Sequence, residues 1–256
     1  MPVLAHHRGE LEYLVYEGDR PDLPTVVLLH EGLGSAGQWG RLPALISART
    51  GMSTLVYSRH GYGSSAGYGP TGPDYLHSEA LTVLPEVLST LGIERPFLVG
   101  HSDGASIAAI YASEYPVAGA VLIAPHVFVE DVTLNGIRQT AESLDTKVRP
   151  SLALFHDDPD ALFRKWSGVW LSDEFATFDI TEQCRRIGAP LLLVQGENDQ
   201  YGSVAQLDRI VGAAGGDVTR RVLPGHGHHP HLQNADEIGD LITEFIAKLE
   251  EKGWAW

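Results

Sequence analysis

The stretch Phe97-Leu98-Val99-Gly100-His101-Ser102-Asp103-Gly104-Ala105-Ser106-Ile107-Ala108-Ala109-Ile110-Tyr111 decides how this chain is read. A short apolar run leads into Gly100-His101-Ser102-Asp103-Gly104, and a helix-forming run leads out. A strand that turns this sharply into a helix holds its central residue in a strained backbone conformation and needs glycine two positions to either side, where a side chain would collide. The turn exposes the hydroxyl of Ser102 at a helix N-terminus, whose free N–H groups and partial positive charge suit a developing anion. Ser102 is therefore the candidate nucleophile. The competing reading is a structural turn whose serine caps the helix.

Outward from the turn, short β-branched and Leu-rich runs alternate with helical segments, the pattern of a mainly parallel sheet covered by helices. The runs are Thr25–His30, Ser53–Ser58, Pro96–Gly100, Ala118–Ala124, Leu191–Gly196 and Thr219–Leu223, with Leu11–Tyr16 as an antiparallel edge strand. Val26-Val27-Leu28-Leu29 and Leu191-Leu192-Leu193-Val194 are apolar at consecutive positions, as expected where helices bury both faces. Asp74 to Leu91 has near-helical apolar spacing, with Pro85 predicted to kink it and Gly92 to end it. Ile238, Leu241, Ile242, Phe245, Ile246 and Leu249 form the apolar stripe of a C-terminal helix, followed by Trp254 and Trp256 as a short tail.

The spacing breaks once. Residues 125–189 separate two predicted strands by far more than one crossover helix and its loops require. The sequence thus divides into a core of residues 1–124 and 190–256 and a helical cap of residues 125–189. Of the chain's 7 Phe and 5 Trp, this insertion holds Phe128, Phe155, Phe163, Trp166, Trp170, Phe175 and Phe178. That concentration fits a subdomain with its own core, an apolar-lined lid over a ligand site, or both.

With 256 residues the chain can bury a core without disulfide or structural metal, and the single cysteine, Cys184, cannot form an internal bridge. The 18 Lys+Arg against 33 Asp+Glu give a formal net charge of −15. Such a surface repels phosphate backbones and anionic headgroups, so a small molecule is the expected partner, not nucleic acid or a membrane. Met1 to Gly9 lacks the apolar stretch of a signal peptide. The expected compartment is the cytoplasm, and oligomeric state is left open.

Taken with its flanking motifs, the chain resembles the α/β-hydrolase superfamily over nearly its whole length. Ser102 matches the nucleophile elbow; Leu28-Leu29-His30-Glu31-Gly32-Leu33-Gly34-Ser35 looks like the His-Gly loop after the third strand; Ser58-Arg59-His60-Gly61-Tyr62-Gly63-Ser64-Ser65 is similar to the turn after the fourth. Gly196-Glu197-Asn198-Asp199 corresponds to the acid loop and Gly225-His226-Gly227-His228 to the histidine loop, in the family's order Ser, Asp, His. The resemblance implies an α/β-hydrolase fold with a sheet of about 7–8 strands, helices on both faces and a cap inserted after strand 6. It also implies a triad of Ser102, Asp199 and His228, with His228 as base and Asp199 fixing its tautomer. Glu197 is the rival acid.

The implied oxyanion donors are the backbone N–H groups of Asp103 and Gly32. Here the chain departs from the family pattern: Glu31 stands where glycine is usual, its carboxylate would oppose an oxyanion unless turned away or paired, and Glu31 itself is the alternative donor. Glu31 either bonds its own loop or takes part in substrate recognition. Phe128, Phe163, Trp166 and Trp170 are the candidate apolar substrate contacts.

His226, His228, His229 and His231 invite a metal reading, but no second ligand cluster with suitable spacing accompanies them, so no metal or cofactor is expected. His226 and His229 read as loop residues, His231 as packed or helix-capping, His30 as a loop brace, and His101 as a partner for nearby backbone. Serine at the elbow disfavours haloalkane dehalogenase, epoxide hydrolase and dienelactone hydrolase chemistry. What remains is a small-molecule hydrolase of an ester, lactone or thioester with an apolar portion. A carbon–carbon bond hydrolase is weakened by His101 and His229, where that family has Asn and Trp, although Arg59, Arg164 and Lys165 offer pairing for a carboxylate. A ligand receptor, or a lyase or cyclase, on the same scaffold also stays open.

Overall fold

The computed structural model describes residues 1–254; Trp256 lies outside the described residues. The strands are β1 (Val3–His6), β2 (Gly9–Tyr16), β3 (Val26–Leu29), β4 (Thr54–Tyr57), β5 (Phe97–His101), β6 (Gly119–Ile123), β7 (Leu191–Gly196) and β8 (Val218–Leu223). They form one eight-stranded sheet in the order β1-β2-β4-β3-β5-β6-β7-β8. β1 and β2 pair antiparallel, as do β2 and β4, and every pairing from β4 onward is parallel. This is the α/β-hydrolase fold. All seven predicted strands are present, but Leu11–Tyr16 is not the edge: β1, a four-residue strand of alternating exposure, covers it.

The helices are α1 (Leu42–Thr50), α2 (Tyr75–Ser78), α3 (Leu84–Thr90), α4 (Asp103–Glu114), α5 (Asp131–Glu142), α6 (Arg149–Leu152), α7 (Pro159–Trp170), α8 (Thr181–Arg185), α9 (Ala205–Ala213), α10 (Pro230–Gln233) and α11 (Ala235–Glu251). Alternate residues of the fully buried strands feed two apolar layers, because successive side chains point to opposite faces. Val27, Leu29, Leu98, Leu122 and Leu193 meet α3, α4 and α9, while Val26, Leu28, Val99, Val121 and Val194 meet α1 and the apolar stripe of α11. Trp254 ties the end of α11 to the sheet by donating from Nε1 to the Ala118 carbonyl at 2.8 Å.

Between α2 and α3 the predicted helix runs on as a wider π-type turn over Glu79–Val83. Pro85 follows two residues later. Its missing N–H and its ring's conflict with the preceding turn account for the widening where the sequence suggested a kink.

The stretch between β6 and β7 carries α5 to α8. Its two ends are stitched together: Phe128 and Asp179 form an antiparallel bridge, and the Ile180 N–H donates to the Val127 carbonyl at 2.8 Å. Trp170, Phe175, Phe178, Ile180 and Cys184 join the same apolar layer as β5 and β6, so these side chains form no separate core. His156 anchors the α6–α7 connection over the sheet, accepting from the Gly63 N–H at Nδ1 (2.9 Å) and donating from Nε2 to the Leu33 carbonyl (3.0 Å).

Two glycines test how tightly this framework is built. A Cβ on Gly104 would lie 1.9 Å from the Leu29 carbonyl oxygen, whereas one on Gly168, in α7, meets nothing within 4 Å. Gly104→Ala should therefore lower the unfolding free energy by about 2 kcal/mol or more, as overpacking against backbone does. Gly168→Ala should raise it by about 0.5–1 kcal/mol, the helix-propensity difference. Urea denaturation of both variants measures the contrast, and equal effects would refute it.

Candidate active site

The elbow follows from backbone geometry. Ser102 sits at φ 54° and ψ −118°, a positive-φ conformation that is rare and costly for a non-glycine residue. It is held there by surrounding bonds: its N–H donates to Ile123 O of β6 (2.9 Å), and its carbonyl accepts from the Ala105 N–H (2.9 Å) and the Ser106 N–H (3.1 Å). Gly100 and Gly104 make the turn possible, since a Cβ on Gly100 would come 2.3 Å from Gly104 O. Ser102 is nearly buried yet borders a cavity of about 440 Å³.

His228 borders the same cavity from the loop after β8. Its Nδ1 lies 2.8 and 2.9 Å from the two carboxylate oxygens of Asp199, in the loop after β7. The Tyr201 N–H (2.7 Å), the Gly202 N–H (3.2 Å) and Gln195 Nε2 (2.6 Å) also donate to Asp199. Burial alone would raise the Asp199 carboxyl, but the charge and hydrogen bond of His228 and the Tyr201 amide reverse this and bring it down to about 2. Asp199 is thus a fixed anion that orients the imidazole. Glu197 is elsewhere, accepting from the Gly225 N–H at 3.1 Å on the exposed loop. Among the described residues, neither Ser102 Oγ nor His228 Nε2 has a hydrogen-bond partner, and both residues border the cavity. The backbone N–H groups of Gly32 and Asp103 are likewise unpaired among the described residues. Gly32 packs so closely on Trp166 that a Cβ there would meet Nε1 at 2.0 Å.

The Asp103 side chain takes a course the sequence did not reveal. It is fully buried, its Oδ2 accepts from Tyr75 Oη at 2.6 Å and lies 3.8 Å from Arg59 Nη2, and its Oδ1 accepts from Trp166 Nε1 at 3.5 Å. Trp170 Nε1 donates in turn to Tyr75 Oη at 2.9 Å. Burial raises the Asp103 carboxyl despite Arg59.

Glu31 is buried against its own loop and His101, with Oε2 3.3 Å from His101 Nδ1. Burial would raise its carboxyl; the hydrogen bond and charge of His101 hold it well below the ordinary range. His30 braces the loop as expected, with Nδ1 donating to Glu31 O (2.8 Å) and Nε2 accepting from the Arg59 N–H (3.0 Å). The four clustered histidines diverge. His226 sits between Pro224 O and Glu237, His228 joins Asp199, His229 reaches toward Glu31, and His231 packs on Trp39.

Of the expected substrate contacts, Glu31, Trp166 and Trp170 border the cavity. Phe128 and Phe163 do not. Phe128 is drawn beneath the Arg209 guanidinium, 4.3 Å from the ring centroid, and Phe163 turns into the buried side of α7. Arg59 is consumed by Glu31 O and Asp103, and Arg164 is exposed away from the cavity. The sequence reading missed His126 and Tyr201. His126 follows β6 at the C-terminal edge of the sheet, where open α/β sheets place their ligands, and that position was the available signal. The Tyr201 ring lies tilted against His228, centroids 4.7 Å apart, two residues beyond Asp199.

The chain matches the model of the alpha/beta hydrolase family over residues 26–241. It is 26% identical to the serine hydrolase BPHL of Homo sapiens, covering 90% of this chain and 80% of that protein. It is 22% identical to a 2-hydroxy-6-oxo-6-phenylhexa-2,4-dienoate hydrolase of Burkholderia cepacia, covering 96% and 95%. Among solved structures, the enol-lactonase of Burkholderia xenovorans LB400 superposes with a TM-score of 0.72 at 20% identity, covering 96% of this chain and 100% of that one. No helix among the described residues is long and apolar enough to cross a membrane.

His126 sets a pH expectation. Burial, then the neighbouring His228, push it down to about 3, so it is neutral in the fold and protonates near its ordinary 6.5 once unfolded. Its depressed value means that the stability it contributes is complete above about 6.5 and is lost as pH falls toward 3. Between pH 6.5 and 5 that loss is about 2 kcal/mol. Urea unfolding across this range should show a slope that His126→Asn flattens by about one proton; an unchanged slope would count against a neutral buried imidazole.

Proposed function

The chain belongs to the alpha/beta hydrolase family, and on that footing we propose that it hydrolyses a small-molecule carboxylic ester or related acyl compound, a lactone or thioester included, through an acyl-enzyme on Ser102. The observation that carries this reading is the Asp199–His228 pair at 2.8 Å, bordering the cavity that Ser102 enters from a positive-φ elbow. With Asp199 accepting from the Nδ1–H, the lone pair on Nε2 is left to take the hydroxyl proton as Ser102 attacks, and to return it to the leaving group. The Gly32 and Asp103 amides are the donors for the oxyanion. Water then repeats the sequence on the acyl-enzyme, with His228 again the base.

The lining narrows the substrate. Leu33, Val148, Leu152, Trp166 and Trp170 supply apolar wall, and Lys147 is the only Lys or Arg among the described bordering residues. An uncharged acyl compound with an apolar portion fits this better than a carboxylate. The carbon–carbon reading, weakened by His101 and His229, was kept open by Arg59, Arg164 and Lys165 as partners for a substrate carboxylate, and none of these three borders the cavity. In this proposal, residues 125–189 act as the cap that closes over the substrate, with α6, α7 and the α5–α6 connection as its roof.

Ser102→Ala should lower turnover of a model ester by about 10⁴-fold or more with the fold intact. A fluorophosphonate probe should add once to the wild type and map to Ser102. Labelling at another residue, or full turnover by the variant, would sink the assignment. Tight ligand binding without product would favour a receptor.

A further inference from the structure

Glu31 from the loop after β3, His101 at the end of β5 and His229 from the loop after β8 converge, and one ligand atom of each lies within 4.8 Å of the others. His101 Nε2 is 2.8 Å from the His228 carbonyl, which can only accept, so this nitrogen carries the proton. With Nδ1 unprotonated, its lone pair would face Glu31 Oε2 at 3.3 Å, inside the protein. Two electron-rich atoms in such contact require a cation between them, either a second proton on the ring or a metal ion. His229 Nε2 stands 4.0 Å from the other carboxylate oxygen, Oε1, and has no hydrogen-bond partner among the described residues. Around a tetrahedral ion with bonds of about 2.0–2.1 Å, neighbouring ligand atoms are about 3.3–3.4 Å apart. The observed separations, all within 4.8 Å, need a closure of the His229 side chain, which is 37% exposed.

From this we infer that Glu31, His101 and His229 form a binding site for a divalent transition-metal ion, zinc above all, with its fourth position open to the cavity. Two imidazoles and one carboxylate with an open position are a ligand set zinc accepts. The His101 Nε2–H bond to a backbone carbonyl is the outer contact that commonly fixes the tautomer of a ligating histidine. Glu31 and His229 border the cavity, which gives the ion its entry path. The positive charge would also neutralise Glu31 beside the loop that holds Gly32. His229 was set aside with its neighbours in the sequence because no second ligand cluster with suitable spacing accompanies them. Its partners lie instead at positions 31 and 101.

Titration calorimetry of the full-length protein with zinc chloride should show one equivalent bound, and Co²⁺ should give the intense visible absorption of a four-coordinate site. His229→Ala and Glu31→Gln should each weaken zinc binding by at least about tenfold, and zinc should raise the thermal midpoint of the wild type but not of His229→Ala. A second grouping, His6, His7 and Glu86, provides the control. Undiminished binding in His7→Ala supports the site. Absence of stoichiometric binding, wild-type affinity in both site variants, or loss of binding in His7→Ala would each overturn it.

Discussion

The contact between Gly104 and the last carbonyl of β3 is the constraint on which the rest of the site depends. With no Cβ at position 104 or 100, α4 starts directly against β3 and β5, and the chain turns between them within one residue. Ser102 bears the strain. Its positive φ is over-determined by bonds to β6 on one side and to its own helix on the other, which is the condition under which a costly backbone conformation persists. Because four elements meet at that residue, the hydroxyl is positioned by the sheet and not by a mobile loop. Parallel topology does the remainder: the loops carrying Gly32, His126, Asp199 and His228 all leave the C-terminal edge of the sheet, as the elbow does.

Much of this was legible in the residues. Consecutive apolar runs located the buried strands because both faces are covered, and paired glycines around Ser102 marked the turn because no other residue fits there. The Asp199 and His228 assignments came from resemblance, since spacing alone does not bring residue 199 to residue 228. The failures have physical reasons. β1 was invisible because Val3-Leu4-Ala5-His6 is short and half exposed, and its pairing with β2 is a tertiary event. Phe128 and Phe163 were grouped with Trp166 and Trp170 by composition; Phe163, Trp166 and Trp170 share one face of α7 at spacings of three and four, so spacing alone does not separate the rings that line the cavity from the one that packs beside them, and Phe128 lies outside the helix altogether. The carboxylate of Asp103 was overlooked because attention fell on its amide.

Asp103 shows how one residue can serve two ends. Its N–H stays free at the first turn of α4, where an acidic side chain is also favoured by the helix dipole. Its carboxylate leaves the cavity for a buried group of Arg59, Tyr75 and Trp166. A charge so enclosed is tolerated only where partners surround it, and loss of one partner leaves the remaining charge uncompensated. Arg59 in turn holds the Glu31 carbonyl at 2.8 Å, so the loop bearing Gly32 is braced by the same group that braces the elbow.

That network also reaches across the molecule. Trp170, at the end of α7, donates to Tyr75, which donates to Asp103, the residue after Ser102. Trp166, one turn earlier on the same helix, touches Asp103 directly and lies against the Cα of Gly32. A displacement of α7 away from the sheet would therefore strip hydrogen-bond donors from a buried carboxylate, at a cost of about 1–3 kcal/mol for each group left unsatisfied. It would also uncover the face of Gly32. The seated helix thus keeps Asp103 satisfied and the cavity walled by indole. The α5–α6 connection has no such tether. Its residues Leu144–Val148 include none that is buried, and Lys147 and Val148 border the cavity from this segment. A shift of this rim would displace no buried residue of the segment.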